Sequence, residues 1–280
     1  MIQKDMSAQM QSFLIGSLML LGISSGSKSQ TKPLFYGFDF GTSGVRCCMI
    51  DSVKAIVHED SLSWSSIQAT KSTLEVSEAW ELAMDQLLER TPEILRESVQ
   101  RICISGTSSS ALIYDVESAS VSRQPRMYDF NVLAQDEKSL FGEKAMTAIQ
   151  LVCPKGSAAN APTSTLAKIL SWNFENPFTP SERLVHQADY LIHHITSTHS
   201  TGGDETSFTS DWHNALKLGY DVHSLQYPTW MTELLLQEKI FSKFVPLVAE
   251  PGRSVGTLGP RLIAMGYSEH CGVVAGYTHL

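Results

Sequence analysis

Residues 34–51 read LFYGFDFGTSGVRCCMID. Leu34 to Phe40 is a short apolar run, Gly41-Thr42-Ser43-Gly44 is turn material, and Val45 to Ile50 is a second apolar run closed by Asp51. Two strand-like runs around a short glycine-containing turn predict a β-hairpin with a glycine-rich tip. Such a tip suits phosphate: glycines let the backbone come close, successive turn N–H groups form an anion nest, and Thr42 or Ser43 can donate a hydroxyl. Asp39, at the end of the first strand, is placed to hold a magnesium ion through water, since magnesium dehydrates reluctantly. Arg46 can neutralise phosphate charge. The same letters also make an ordinary hairpin turn, and the local sequence leaves both readings open.

Working outward, residues 55–64 read as a third strand. Ser77 is expected to cap a helix running through Gln100, with Trp80, Ala83, Leu87, Leu88, Ile94, Leu95 and Val99 as its apolar positions and Pro92 kinking or splitting it. Residues 101–105 and 111–116 predict short strands joined by the loop Gly106-Thr107-Ser108-Ser109-Ser110, and helices are expected around 134–152, 163–174 and 186–196. The tail from Glu250 is less regular, with a Gly-rich stretch, PGRSVGTLGP, and a final apolar run at residues 272–276. Strands first, then mixed elements, with no internal repeat or long linker, indicate an α/β domain over residues 34–280.

The 280 residues are 42% hydrophobic, enough for a sizeable core. Twenty-nine acidic against 21 basic residues give a formal charge of −8. The basic residues are scattered singly, which argues against nucleic acid and anionic membrane as partners. Five cysteines (Cys47, Cys48, Cys103, Cys153, Cys271) show neither C-x-x-C spacing nor a disulfide framework, so they read as reduced, buried small hydrophobes. Cys47 and Cys48 fall on opposite faces of a strand and cannot act as a ligand pair. Residues 1–33 read as a leader. Its apolar run, FLIGSLMLLGI at 13–23, is short of the roughly 20 residues a membrane span needs, and the Ser-rich stretch after it suits plastid import, with a secretory leader and a cytoplasmic location as the alternatives.

A second chemical signal is Ser210-Asp211-Trp212-His213-Asn214, followed by an apolar helical stretch. Asp211 either presents a carboxylate as base toward a substrate hydroxyl or simply caps the helix. Other candidates fail on context. Asp-Phe-Gly at 39–41 has no room before it for the other protein-kinase signatures, and a Walker A loop is absent. Gly22-Ile23-Ser24-Ser25-Gly26 matches a hydrolase elbow but precedes the folded domain. His193, His194, His199, Asp204 and Glu205 cluster without a standard zinc spacing and read as solvated helix-end and loop residues.

Five stretches in order, DFGTSGVR, ISGTSSSALIYD, APTSTLAKIL, HQADYL and TSDWHNALKLGYD, resemble the FGGY carbohydrate kinases over residues 34–275. The last looks most like the plant and cyanobacterial D-ribulose kinase-like branch, often labelled xylulose kinase-like. The resemblance implies an actin-like, RNase H-like ATPase fold, with residues 34–280 as the N-terminal lobe and the second lobe mostly missing. It implies ATP and Mg2+ as cofactors, with Asp39 as the metal-organising carboxylate and Gly41, Thr42, Ser43 and Arg46 at the phosphates. The ketopentose, D-ribulose with D-xylulose as the alternative, would meet Asp39, Ser43, Gly44, Val45, Arg46, Thr107, Ser108, Asp211 and Trp212. Asp211 and Asp39 would be the catalytic carboxylates, Asp211 taking the proton of the sugar hydroxyl. Two departures stand out. Where the family reads tyrosine, asparagine, aspartate and a nearby arginine, this chain has Met127-Tyr128-Asp129-Phe130-Asn131-Val132, and after Gly276 the second phosphate motif is replaced by a short end. The expectation from that ending is little or no kinase turnover by this polypeptide alone, with a non-catalytic sugar-binding role as the competing class.

Overall fold

The computed structural model describes residues 32–70, 73–134, 139–196 and 208–276. The leader reading therefore lies outside the described residues except for residues 32 and 33, and no helix among the described residues is long and apolar enough to cross a membrane.

In chain order the strands are β1 (Leu34–Phe40), β2 (Gly44–Asp51), β3 (Ile56–Ser63), β4 (Val99–Ser105), β5 (Ala111–Asp115), β6 (Ser120–Arg126), β7 (Glu182–His186), β8 (Thr209–Asp211), β9 (Leu247–Ala249), β10 (Ser254–Thr257) and β11 (Gly272–Val274). The helices are α1 (Trp64–Thr70), α2 (Val76–Arg90), α3 (Glu93–Arg96), α4 (Ser139–Val152), α5 (Thr165–Glu175), α6 (Gln187–Ile195), α7 (Trp212–Leu216), α8 (Thr229–Gln237) and α9 (Pro260–Ala264). They divide into two compact units. One holds the described residues of 32–106, 188–196 and 249–276, the other those of 107–187 and 208–248. No change of composition marks the points where the chain passes from one to the other.

The first unit is built on a six-stranded sheet ordered β10-β11-β4-β1-β2-β3. β1 pairs antiparallel with β2 and parallel with β4, so the predicted hairpin lies at the middle of the sheet. Alternation along β1 and β2 puts Tyr36, Phe38, Phe40, Val45, Cys47 and Met49 on one face, all buried. Trp80, Ala83, Met84, Leu87 and Leu88 of α2 are buried as the helical period predicts. On the opposite face Cys48, Ile50, Cys103 and Val274 form a smaller core. All five cysteines are free and buried, as expected.

The helix expected over 77–100 is three elements. A capping box between Glu75 and Glu78 starts α2, not a Ser77 cap. Thr91, ahead of Pro92, is held extended at ψ 126°, which ends α2 there. After the break the helical register is lost: Ile94 is 87% exposed and Val99 opens β4.

The second unit has a three-stranded antiparallel sheet, β6-β5-β7, and a β8-β9 ladder. Its core gathers Ile113, Ala145, Ile149, Leu166, Ile169, Leu170, Leu184, Leu234 and Phe244 from β5, α4, α5, β7, α8 and a 3-10 turn. The helices expected at 134–152, 163–174 and 186–196 correspond to α4, α5 and α6, with residues 135–138 outside the described set. β6, SVSRQPR, escapes a hydrophobic reading because two of its four more buried positions, Arg123 and Arg126, are cationic. Arg123 pairs with Glu182 at 3.0 Å, and Arg126 pairs with Glu175 while lying over the Trp172 ring.

Candidate functional site

The hairpin tip in the first unit is built around main-chain hydrogen bonds. Gly41 N–H donates to Gly44 O at 2.9 Å, the Trp64 indole N–H donates to Gly41 O at 3.0 Å, and Trp64 N–H donates to Ser43 O. These bonds occupy the carbonyl oxygens of Gly41, Ser43 and Gly44. Among the described residues neither Thr42 N–H nor Ser43 N–H has an internal acceptor, and both residues are exposed. Two successive free N–H groups at an exposed tip are what an anion nest requires.

Asp39 and Arg46 face each other across the β1–β2 ladder, and their side chains form an ion pair at 2.9 Å. About a quarter of Asp39 (24%) and a third of Arg46 (35%) stay in solvent, so both are reachable by a ligand at the tip. Val45 differs from the expectation: it is fully buried opposite Phe40, and its side chain serves the core. Gly44 also has a role beyond ligand approach. A Cβ there would lie 2.2 Å from Leu62 O, so β3 packs directly on its backbone, whereas a Cβ on Gly41 would meet nothing nearer than 3.6 Å.

Within the second unit, the loop after β4 folds back on itself. The Thr107 and Ser110 hydroxyls lie 2.5 Å apart, and Gln187 Oε1 accepts from Thr107 N–H at 2.8 Å and from the Thr107 hydroxyl at 3.0 Å. Ser109 sits in the left-handed region at φ 71° and donates its hydroxyl to Thr163 O at 2.8 Å. Ser108 is 6% exposed, and its Oγ has no hydrogen-bond partner among the described residues. A buried hydroxyl left this way costs about 1–3 kcal/mol, unless a ligand or water completes it.

Asp211, the last residue of β8, is the N-cap of α7. Its Oδ1 accepts from His213 N–H at 2.8 Å and Asn214 N–H at 3.1 Å, and its Oδ2 accepts from Asn214 Nδ2 at 2.7 Å. The cap reading therefore holds. The same carboxylate also has His213 Nδ1 at 3.7 Å from Oδ1, so it sits in a polar, buried setting. Trp212 beside it is half-buried.

A buried polar chain links Asp211's strand to the serine loop. Ser210 Oγ meets His186 Nδ1 at 3.0 Å, His186 Nε2 lies 3.4 Å from Thr165 Oγ1, and Thr165 Oγ1 donates toward Ser109 Oγ at 3.4 Å. Thr107, Ser108 and Asp211 thus belong to one connected region, while Asp39, Gly41, Thr42, Ser43, Gly44 and Arg46 form the tip in the other unit. Sequence reasoning passed over Lys168, His186 and Gln187. The available signal was Lys168 itself, a cation inside the apolar run TLAKIL.

No group of three His, Cys, Asp or Glu able to hold a metal gathers among the described residues. Asp39 alone fits the weaker demand of magnesium, which takes one or two carboxylates and keeps water or phosphate for the rest. In the histidine cluster His194 is committed to Asp85 at 2.9 Å, and Arg261 reaches the same carboxylate at 2.6 Å. His199, Asp204 and Glu205 lie outside the described residues.

No protein-family model matches the chain. Solved structures do. A xylulose kinase from Lactobacillus acidophilus superposes with TM-score 0.65 at 16% identity, over 88% of this chain and 48% of that one. A gluconate kinase from the same organism gives 0.64 at 14% over 89% and 48%, and the Plasmodium falciparum glycerol kinase with ADP gives 0.63 at 15% over 90% and 49%. The chain thus has the mixed α/β fold of the N-terminal lobe of sugar kinases, the actin-like ATPase fold, and spans about half the length of those proteins.

Proposed function

We propose that the chain is the sugar-binding lobe of an ATP-dependent carbohydrate kinase acting on a ketopentose, D-ribulose first and D-xylulose second. The observation that carries this reading is the buried, unpartnered Ser108 hydroxyl in a region that also holds the buried carboxylate of Asp211. A polyhydroxylated ligand satisfies such a hydroxyl, and an aliphatic one does not. D-xylulose is the second reading because a xylulose kinase is among the similar structures. Fold alone does not choose, since the same fold serves xylulose, gluconate and glycerol kinases.

In this reading Asp211 accepts the proton of the sugar's primary hydroxyl. The hydroxyl oxygen forms a bond to the γ-phosphorus of ATP, the bond from that phosphorus to the β,γ-bridging oxygen breaks, and ADP leaves. Thr42 N–H, Ser43 N–H and Arg46 would receive phosphate charge at the hairpin tip, and Asp39 would hold magnesium. Magnesium, when bound, supplies further charge neutralisation.

Calorimetric titration of the chain with D-ribulose, D-xylulose and Mg·ATP is the test. Saturable ketopentose binding, tighter for D-ribulose, is expected. Binding of neither ketopentose would overturn the assignment, and tighter D-xylulose binding would reverse the order of substrates. Ketopentose binding with no nucleotide binding would point to a non-catalytic sugar-binding protein.

A further inference from the structure

The cation inside the core of the second unit has no part in that mechanism. Lys168, on α5, is fully buried, and no carboxylate comes within ion-pairing distance of it among the described residues. Its Nζ instead donates to Ser109 O at 2.7 Å, Met127 O at 2.7 Å and Ser109 Oγ at 3.1 Å. Three oxygens around one nitrogen match the three N–H donors of an ammonium, whereas a neutral amine would turn a lone pair toward one of them.

Two loops meet at this point. Ser109 carries the left-handed backbone of the serine loop, a conformation that costs a non-glycine residue about 1–3 kcal/mol and persists only when its surroundings hold it. Met127 opens the loop after β6, and Tyr128 N–H donates to Ser110 Oγ at 2.9 Å, joining the loops a second time. We propose that Lys168 is a positioning residue: its ammonium ties residues 107–110 and the 127–131 loop to α5, and so fixes where Ser108 and the second loop meet the sugar. The ligand half of this proposal rests on the ketopentose reading; the tether itself does not.

The tether is sensitive to pH. Burial pushes the Lys168 ammonium down to about 7, with Lys217 and Arg126 acting the same way and Asp129 opposing them. Unfolded, the amine keeps its proton to about pH 10.4. Between these values the unfolded chain binds the extra proton, so this group's contribution to global stability rises with pH while the local tether loses a donor.

Amide hydrogen exchange in wild type and Lys168→Met at about pH 6 and about pH 8.5, with D-ribulose affinity measured in parallel, separates these effects. In wild type, the protection factors of Ser110 and Tyr128 and the D-ribulose affinity are expected to fall roughly tenfold as pH rises, the size of one charged hydrogen bond. In Lys168→Met both are low at either pH. Loop protection equal in wild type and variant, or independent of pH in wild type, would overturn the tether. If wild type binds no ketopentose, the functional assignment fails while loop exchange still decides the tether. If the variant does not fold, the wild-type pH profile decides it.

Discussion

Gly44→Ala is expected to prevent stable folding of the first unit, whereas Gly41→Ala, three residues away in the same turn, is expected to leave it intact. The difference is geometric. An alanine Cβ at residue 44 would stand 2.2 Å from the Leu62 carbonyl oxygen and 2.9 Å from Ser63 Cα, and both are main-chain atoms of β3 that cannot swing aside. Relieving the clash means separating β2 from β3. Overpacking a core costs about 1–3 kcal/mol when side chains can adjust, and more when the obstacle is backbone. Against a total stability of about 5–15 kcal/mol, a loss above about 3 kcal/mol lowers the melting temperature sharply or abolishes soluble expression. At residue 41 the added methyl group meets only Gly44 O at 3.6 Å and Arg46 Nη2 at 4.0 Å, ordinary contact distances. Gly41→Ala is therefore the cleaner probe of the nest: melting close to wild type with weakened Mg·ATP binding is expected. Thermal denaturation and nucleotide titration of the two variants measure both quantities. Equal melting temperatures for the two would refute the packing account, and unchanged nucleotide affinity in Gly41→Ala would remove Gly41 from the phosphate site.

Asp211 caps α7 and is proposed as the base, and two substitutions pull these roles apart. Asp211→Ala removes the acceptor for the His213 and Asn214 main-chain N–H groups and for the Asn214 amide. Loss of a cap costs about 0.5–2 kcal/mol, and donors left unmatched in a buried site cost about 1–3 kcal/mol. Asp211→Asn keeps a carbonyl oxygen at the cap, and asparagine caps as well as aspartate, but it cannot accept a proton. Melting is expected to fall in Asp211→Ala and to fall less in Asp211→Asn, which keeps the cap acceptor but sets an amide NH2 where Oδ2 accepts from Asn214 Nδ2. Any ketopentose-dependent ADP formation should drop by a factor on the order of 10² or more in both. If Asp211→Asn formed ADP as wild type does, Asp211 would be a cap and nothing else.

The hairpin was legible because aromatic and β-branched runs around a glycine turn leave few alternatives, and the structure places β1 and β2 within a residue of the expected bounds. The serine loop and the Asp211 turn were legible as local chemistry. What the local sequence could not express was burial. Cap and base look identical at Asp211 until the neighbours that donate to its carboxylate are known. The two glycines of the turn look equivalent until β3 is laid against one of them. β6 was missed because a strand with arginines, paired with Glu175 and Glu182, at two of its four more buried positions lacks the apolar alternation that announces a strand. Lys168 was passed over for a related reason. A lysine in a helix is ordinarily a surface residue, and only the carbonyls of Ser109 and Met127, 59 and 41 residues away, reveal why this one is inside.

In the proposed function Ser108 and Asp211 receive a ketopentose. Hydrogen exchange of the chain with and without saturating D-ribulose, read amide by amide, tests it most directly. Added protection confined to residues 106–110, the 127–131 loop and residues 209–214 is expected. Protection elsewhere, or no change at any of these three segments under demonstrated binding, would contradict it.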